Sequence, residues 1–130
     1  MEKYAKDLVI EGLTLKTMVY QNILPSAFAY RKELSEALIS MKTLGMDVSK
    51  APEKALLDEL SDVTSKLLNA TDKLVAVVDK VNSLEGDEQA VVANSELTVS
   101  LDQVRALVDT VEVKTSDRLW AFPKYTELLF

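Results

Sequence analysis

Hydrophobic residues recur with a heptad spacing in the middle of the chain. Between residues 56 and 84, apolar side chains alternate steps of four and three residues along one seam: Leu56, Leu60, Val63, Leu67, Ala70, Leu74, Val77, Val81 and Leu84. This 3.5-residue repeat is typical of helices that pack as in a coiled coil. Further apolar residues lie beside the seam, at Leu57, Leu68, Val75 and Val78. They make the apolar stripe too wide for a two-stranded zipper and favour a helical bundle.

Glycine and proline divide the rest of the chain into helical segments. Breaks at Gly45–Pro52, at Gly86 and at Asp117–Pro123 predict helices over about 3–43, 53–84 and 88–115, with a tail over 117–130. The third segment continues the heptad pattern through Ala90, Asn94, Leu97, Leu101, Val104, Val108 and Val111. Short connections make successive helices antiparallel. We therefore predict an all-α fold, an up-down-up three-helix bundle formed by one domain over residues 1–130.

The first predicted helix has two unusual features. Pro25 lies inside it, which predicts a kink, or alternatively a helix that stops near Asn22 and restarts at Ser26. At about 1.5 Å per residue the first helix is also roughly 15 Å longer than the other two. Its first two or three turns, within residues 1–17, are therefore expected to overhang the bundle without partners.

Composition and charge exclude several classes of function. The formal net charge is −6, which disfavours nucleic-acid binding, and the chain has neither cysteine nor histidine. No glycine-rich phosphate loop occurs, and the acidic cluster of Asp58, Glu59 and Asp62 is interpreted as a solvated helix face. We assign no catalytic, cofactor-binding or metal-binding residue. Because neither a signal peptide nor a spanning segment is recognisable, we expect a soluble, cytoplasmic chain without membrane contact.

The candidate functional residues are instead apolar residues that are predicted to lie outside the core of the bundle. Four of them recur every seven residues on the outer face of the third helix: Val92, Val99, Ala106 and Val113. A stripe of this kind suggests a docking surface, although scattered surface valines are common. Asn94 is predicted on the seam, either as a polar residue that fixes the helix register or at a bundle end that meets water.

The tail is rich in large apolar side chains, and we expect it to dock. Its interface candidates are Trp120, Phe122, Tyr125 and Phe130. A disordered terminus is normally polar, so this composition indicates burial. The expected binding place is the overhanging part of the first helix, where Tyr4, Leu8, Leu15 and Val19 need partners.

Two stretches carry a family resemblance. The first is Gly12–Glu36, GLTLKTMVYQNILPSAFAYRKELSE, and the second is Leu119–Phe130, LWAFPKYTELLF. The first resembles the start of the C-terminal helical region of type III glutamine synthetases through Met18, Ile23, Leu24, Pro25 and Tyr30. The second is similar to that family's terminal signature, from which Ala121 and Thr126 depart.

The resemblance implies a non-catalytic role for this chain. Type III glutamine synthetases are large homo-oligomeric ligases that join ammonia to glutamate with ATP and Mg²⁺ or Mn²⁺, and their catalytic regions lie upstream of this segment. The implied partners are the rest of the parent enzyme and neighbouring subunits, and the implied role is scaffolding or oligomer assembly. The alternative is an independent helical adaptor or signalling protein that binds partner helices through the outer face of the third helix.

Overall fold

The structure, a computed structural model, describes residues 1–120, and all secondary structure in that range is helical. Three long helices are present, as predicted for an all-α fold. The first combines helix α1 (Lys3–Met18), a π-helical turn (Val19–Ile23) and helix α2 (Leu24–Thr43). The second is helix α3 (Pro52–Ser83). The third combines helix α4 (Gly86–Val92), a second π-helical turn (Ala93–Leu97) and helix α5 (Thr98–Lys114).

Local interactions explain where these helices begin and end. The Glu2 carboxylate accepts hydrogen bonds from the backbone N–H groups of Tyr4 at 3.0 Å and Ala5 at 3.3 Å, which caps α1. Pro52 occupies the first turn of α3, where a missing N–H costs nothing. Gly45 follows α2 with a φ of 86°, a left-handed conformation that suits glycine.

The connection between α3 and α4 is stabilised by a side chain that the sequence pattern did not identify. The Gln89 amide of α4 is buried and donates to the carbonyl oxygens of Val81 at 2.9 Å and Leu84 at 3.0 Å. These carbonyls lie in the last turn of α3 and just after it, where the N–H groups of a continuing helix are missing; the Val81 carbonyl also accepts from the Leu84 N–H at 3.2 Å. Gln89 therefore ties the start of the third helix to the end of the second.

The heptad leucines of α3 form the centre of the core. Leu60, Leu67 and Leu74 are completely buried, and the third helix contributes Leu97 and Leu101 to the same cluster. This burial follows directly from the 3.5-residue pattern. Leu68, beside the seam, remains partly exposed.

The expected overhang of the first helix is wrong. Ala5, Leu8, Val9 and Gly12 of α1 are buried. The reason is that α3 and the start of the third helix lie alongside this end: Gly12 lies against Val78 and Leu97, and the Tyr4 hydroxyl lies 3.5 Å from the Asn94 Oδ1. The first turns of α1 thus already have partners. The predicted docking of the tail there concerns residues 121–130, which lie outside the described residues.

The first helix also continues past Asn22 instead of stopping. Asn22 lies within the π-helical turn, whose end is marked by the Leu24 N–H donating to the Val19 carbonyl. Pro25 follows as the second residue of α2. A π-helical turn inserts an extra residue into the helix, and such turns occur mostly as single interruptions of α-helices.

The buried seam position of Asn94 is wrong as well, and of its two interpretations the one in which Asn94 meets water agrees with the structure. Asn94 is exposed, whereas its neighbour Ala93 is completely buried in the core. The π-helical turn Ala93–Leu97 changes the register of the third helix at this point, so the strict heptad count from Leu97 back to Asn94 fails.

Candidate docking surfaces

The outer face of α5 carries an apolar stripe directed away from the core. Val99 is 52% exposed and Val113 is 80% exposed, and Ala106 between them is also exposed. We call Val99, Ala106 and Val113 the outer stripe. Val92, the fourth residue predicted for it, is half-buried and packs against the core.

The residues that follow α5 turn back onto the bundle. The Leu119 and Trp120 N–H groups both donate to the Ser116 carbonyl, at 3.0 Å and 3.1 Å. The Trp120 side chain is buried and belongs to the hydrophobic core, and the Arg118 guanidinium pairs with Glu33 of α2. The other aromatic tail candidates, Phe122, Tyr125 and Phe130, lie outside the described residues.

A groove between α2 and α3 has a volume of about 480 Å³. Phe28, Arg31 and Ser35 line it from α2, and Leu57 and Ser61 from α3. The Arg31 guanidinium lies over the Phe28 ring, 5.6 Å from its centroid. Sequence reasoning missed this groove. Its only sequence signal is the i, i+3 spacing of Phe28 and Arg31, which places the two side chains on one helix face.

The acidic side chains of the cluster Asp58, Glu59 and Asp62 on α3 each form an ion pair. Asp58 pairs with Lys54 at 2.6 Å, Asp62 with Lys66 at 3.0 Å, and Glu59 with Lys114 of α5 at 2.8 Å. No group of three or more acidic side chains in the described range is placed to hold a metal ion. The cluster is therefore an exposed helix face, as interpreted from the sequence, and its carboxylates are in addition paired with lysines.

A polar contact joins the π-helical turn of the first helix to α3. The Tyr20 hydroxyl donates to the Asp72 carboxylate, and both side chains are exposed. This hydrogen bond, together with slight burial and the negative charge of Asp72, raises the pKa of Tyr20 above its ordinary value. The contact links the two helices without forming a catalytic arrangement.

Comparison with known proteins identifies the region of similarity. Residues 1–42, which make up nearly all of the first helix, match the family profile of the glutamine synthetase C-terminal domain. A glutamine synthetase of Butyrivibrio fibrisolvens is 28% identical over 131 residues, covering 100% of this chain and 19% of that protein. The resemblance to the glutamine synthetase C-terminal domain is therefore confirmed.

The similarity extends to type III enzymes and beyond the first helix. A type-3 glutamine synthetase of Dictyostelium discoideum is 28% identical over 134 residues, and a glutamine synthetase of Bacteroides fragilis is 29% identical over 135 residues. These alignments cover 99% and 100% of this chain. The chain spans only 18% of the length of each of these two relatives.

Among the described residues, no helix is both long enough and apolar enough to cross a bilayer.

Proposed function

We propose that this chain is the non-catalytic C-terminal helical domain of a type III glutamine synthetase, with a scaffolding role in oligomer assembly. The observation that carries the proposal is the outer stripe, with Val99 and Val113 exposed on a chain that resembles much longer enzymes along its whole length. An apolar stripe of this kind is suited to contact with another protein surface.

Catalysis is assigned to the parts of the enzyme outside this chain. The full-length protein would ligate ammonia to glutamate with ATP and Mg²⁺ or Mn²⁺, whereas this domain would supply contacts. Its partners would be the rest of the parent polypeptide and neighbouring subunits of a homo-oligomer. We place this enzyme in the cytoplasm, without nucleic acid or membrane as a partner.

The independent adaptor is the weaker candidate. It uses the same exposed valines, but it gives no reason for similarity to glutamine synthetases over 100% of the chain. The coding sequence upstream of residue 1 separates the two functions. A glutamine synthetase catalytic domain in the same reading frame supports the proposal, and its absence would favour the adaptor.

We also propose the up-down-up order of the three helices. Ion pairs join Lys80 to Glu96 and Glu59 to Lys114. The later residue of α3 thus contacts the earlier residue of the third helix, which supports an antiparallel course of these two helices. Glu11 pairs with Arg105 and Glu33 with Arg118, which supports a parallel course of the first and third helices. A bend of the first helix at Pro25 is part of the same proposal, because π-helical turns and prolines both mark kinks.

The assembly role is tested in the longer enzyme that carries this domain. Val99→Lys combined with Val113→Lys places two charges on the outer stripe, where burial against a subunit would desolvate them. We expect the oligomer to dissociate, measured as a lower mass by light scattering after size-exclusion chromatography.

A matched control separates assembly from folding. Gln103→Lys adds a charge to an exposed polar position of the same helix and should leave the oligomer mass unchanged. Helical circular dichroism should be equal in all variants, because none of these side chains is buried. An unchanged oligomer in the double valine variant would contradict the scaffolding role of the outer stripe.

A further inference from the structure

Completely buried residues of α3 recur at a constant interval of seven residues. The series consists of Leu60, Leu67, Leu74 and Val81. Seven residues make almost two full turns of an α-helix, so such a series stays on one face of the helix. Because α3 is α-helical throughout Pro52–Ser83, it shows the spacing of buried residues in an uninterrupted helix of this bundle.

The other two long helices follow the same spacing, with one longer step in each. The buried series of the first helix is Ala5, Gly12, Val19, Ala27 and Leu34, and that of the third is Gln89, Leu97, Val104 and Val111. All steps are seven residues long, except the step that follows Val19 and the step that follows Gln89, which are eight. These two steps contain the π-helical turns Val19–Ile23 and Ala93–Leu97. Each π-helical turn therefore coincides with one residue more than the repeat requires.

The geometry of a helix explains why an extra residue needs such a turn. Each residue of an α-helix rotates the chain by about 100°, because one turn takes 3.6 residues. One extra residue in a regular α-helix would therefore rotate the buried face by about 100° and direct half of the helix away from the core. A π-helical turn has wider i→i−5 hydrogen bonds, such as the one from the Leu24 N–H to the Val19 carbonyl, and takes up the residue within the turn.

We propose that the two π-helical turns are register devices, each of which accommodates one surplus residue and keeps the helix before and after it directed at the same core. The surplus residue is dispensable for folding. Its removal converts the π-helical turn into regular α-helix, and the same residues remain buried. This inference does not depend on the assembly role, because it uses the core series and not the outer stripe.

The first turn has a second cause, which the third helix lacks. In a regular α-helix the nitrogen of Pro25 would lie opposite the Gln21 carbonyl, where its ring clashes and where it has no N–H to donate. A wider turn before Pro25 relieves this clash. The third helix contains no proline between Gly86 and Lys114, so its π-helical turn tests the surplus residue alone.

Deletion of Ser95 tests the second turn. Ser95 is exposed within the π-helical turn, and we expect its removal to change the unfolding equilibrium constant in urea by less than about tenfold. The matched control is deletion of Gln103, an exposed residue of α5. This deletion rotates Leu97 and Leu101 away from the core, so we expect the constant to rise by at least about a hundredfold, or cooperative unfolding to be lost. Equal effects of the two deletions would overturn the proposal.

Thiol reactivity measures the register independently of stability. The chain has no natural cysteine, so Ala93→Cys and Asn94→Cys each introduce one thiol. Ala93 is completely buried and Asn94 is exposed. Without Ser95, Ala93 precedes Leu97 by three positions and stays on the same helix face. The Ala93→Cys thiol should therefore remain protected from alkylation in the deletion variant, whereas the Asn94→Cys thiol should react. The reverse order of reactivity would contradict the proposal.

The first turn is tested in a Pro25→Ala background, which removes the clash of the proline. Deletion of Gln21, an exposed residue of the turn, should change the unfolding equilibrium constant by less than about tenfold relative to Pro25→Ala alone. Deletion of Lys32, an exposed residue of α2, is the control in the same background and should raise the constant by at least about a hundredfold. An equal loss of stability from the two deletions would overturn the proposal for the first helix.

Discussion

Gly12 of α1 lies directly against Val78 of α3. A Cβ atom added at Gly12 would come within 3.1 Å of the Val78 Cγ2 and 3.5 Å of the Leu74 Cδ1. Glycine in a helix interior is about 1 kcal/mol less favourable than alanine. Its presence here is explained by the close approach of two helices, because even a Cβ atom would require the Val78 side chain to move by a few tenths of an ångström, and a larger side chain would require more.

Replacing Gly12 by leucine should therefore destabilise the protein. The added side chain has no space between α1 and α3, and overpacking of a core typically costs about 1–3 kcal/mol. The free energy of unfolding in urea measures the effect. Thr14→Leu, two residues along on the exposed face, is the control and should change stability by less than about 0.5 kcal/mol. Equal effects at both positions would contradict the close helix contact.

The neighbouring leucines Leu67 and Leu68 provide a matched comparison on α3. Leu67 is completely buried, whereas Leu68 is 38% exposed. Leu67→Ala should lower the free energy of unfolding by about 2–5 kcal/mol, because it removes contacts and leaves a cavity. Leu68→Ala should cost clearly less. The same measurement contradicts the core assignment if the two alanine variants unfold at equal urea concentrations.

The comparison of these leucines also shows how far the sequence could predict the fold. The repeat through Leu60, Leu67 and Leu74 determines which face of α3 is buried, since a regular α-helix keeps one face inward over many turns. The same heptad pattern gave the wrong position for Asn94, because a π-helical turn changes the helix register there. The residue types of this segment do not predict such a turn. Pattern alone therefore predicts regular helices but not the positions of such turns.

The candidate surfaces were predictable to a smaller extent. Val99 and Val113 were identifiable because they recur at the heptad spacing opposite the seam, and both are exposed. The groove at Arg31 was not, because its walls come from two helices whose relative position depends on packing. The overhang of α1 was mistaken for a similar reason: helix length alone does not show that Leu97 of the third helix lies beside Gly12.

The hydrogen bond between Tyr20 and Asp72 predicts a pH dependence at high pH. The pKa of Tyr20 is raised in the folded protein, so the folded state holds the phenolic proton more strongly than the unfolded state, whose pKa is about 10. The contribution to stability is therefore complete below about pH 10 and is lost as pH rises through the folded-state pKa.

Tyr20→Phe measures this contribution directly. The stability difference between the natural protein and Tyr20→Phe should shrink as pH rises above about 10. The difference ultraviolet spectrum between the two proteins gives the Tyr20 titration itself. Asp72→Asn should return the Tyr20 pKa towards its ordinary value. A Tyr20 titration that is insensitive to Asp72→Asn would show that the hydrogen bond does not form.

The isolated chain should have no glutamine synthetase activity. It covers 19% of the length of a relative with that name, and the proposed function assigns catalysis to the remaining part. Purified chain supplied with ATP, Mg²⁺, glutamate and ammonia should produce no glutamine above a blank without protein. The control is the longer enzyme under the same conditions. Reproducible glutamine formation by the isolated chain would contradict its assignment as a non-catalytic domain.

Trp120 reports on whether the end of the chain is anchored to the bundle. It is the only tryptophan and its side chain is buried in the core, held by a turn at Ser116 and by the pair of Arg118 with Glu33. Its fluorescence should therefore be blue-shifted and protected from acrylamide, because an indole in the core is shielded from water. In urea, emission should shift to that of an exposed tryptophan in the same transition that is followed by helical circular dichroism. Glu33→Gln removes the ion pair and should increase quencher access slightly, with little loss of helix. An indole that is already fully accessible in the native protein would show that Trp120 is not part of the core.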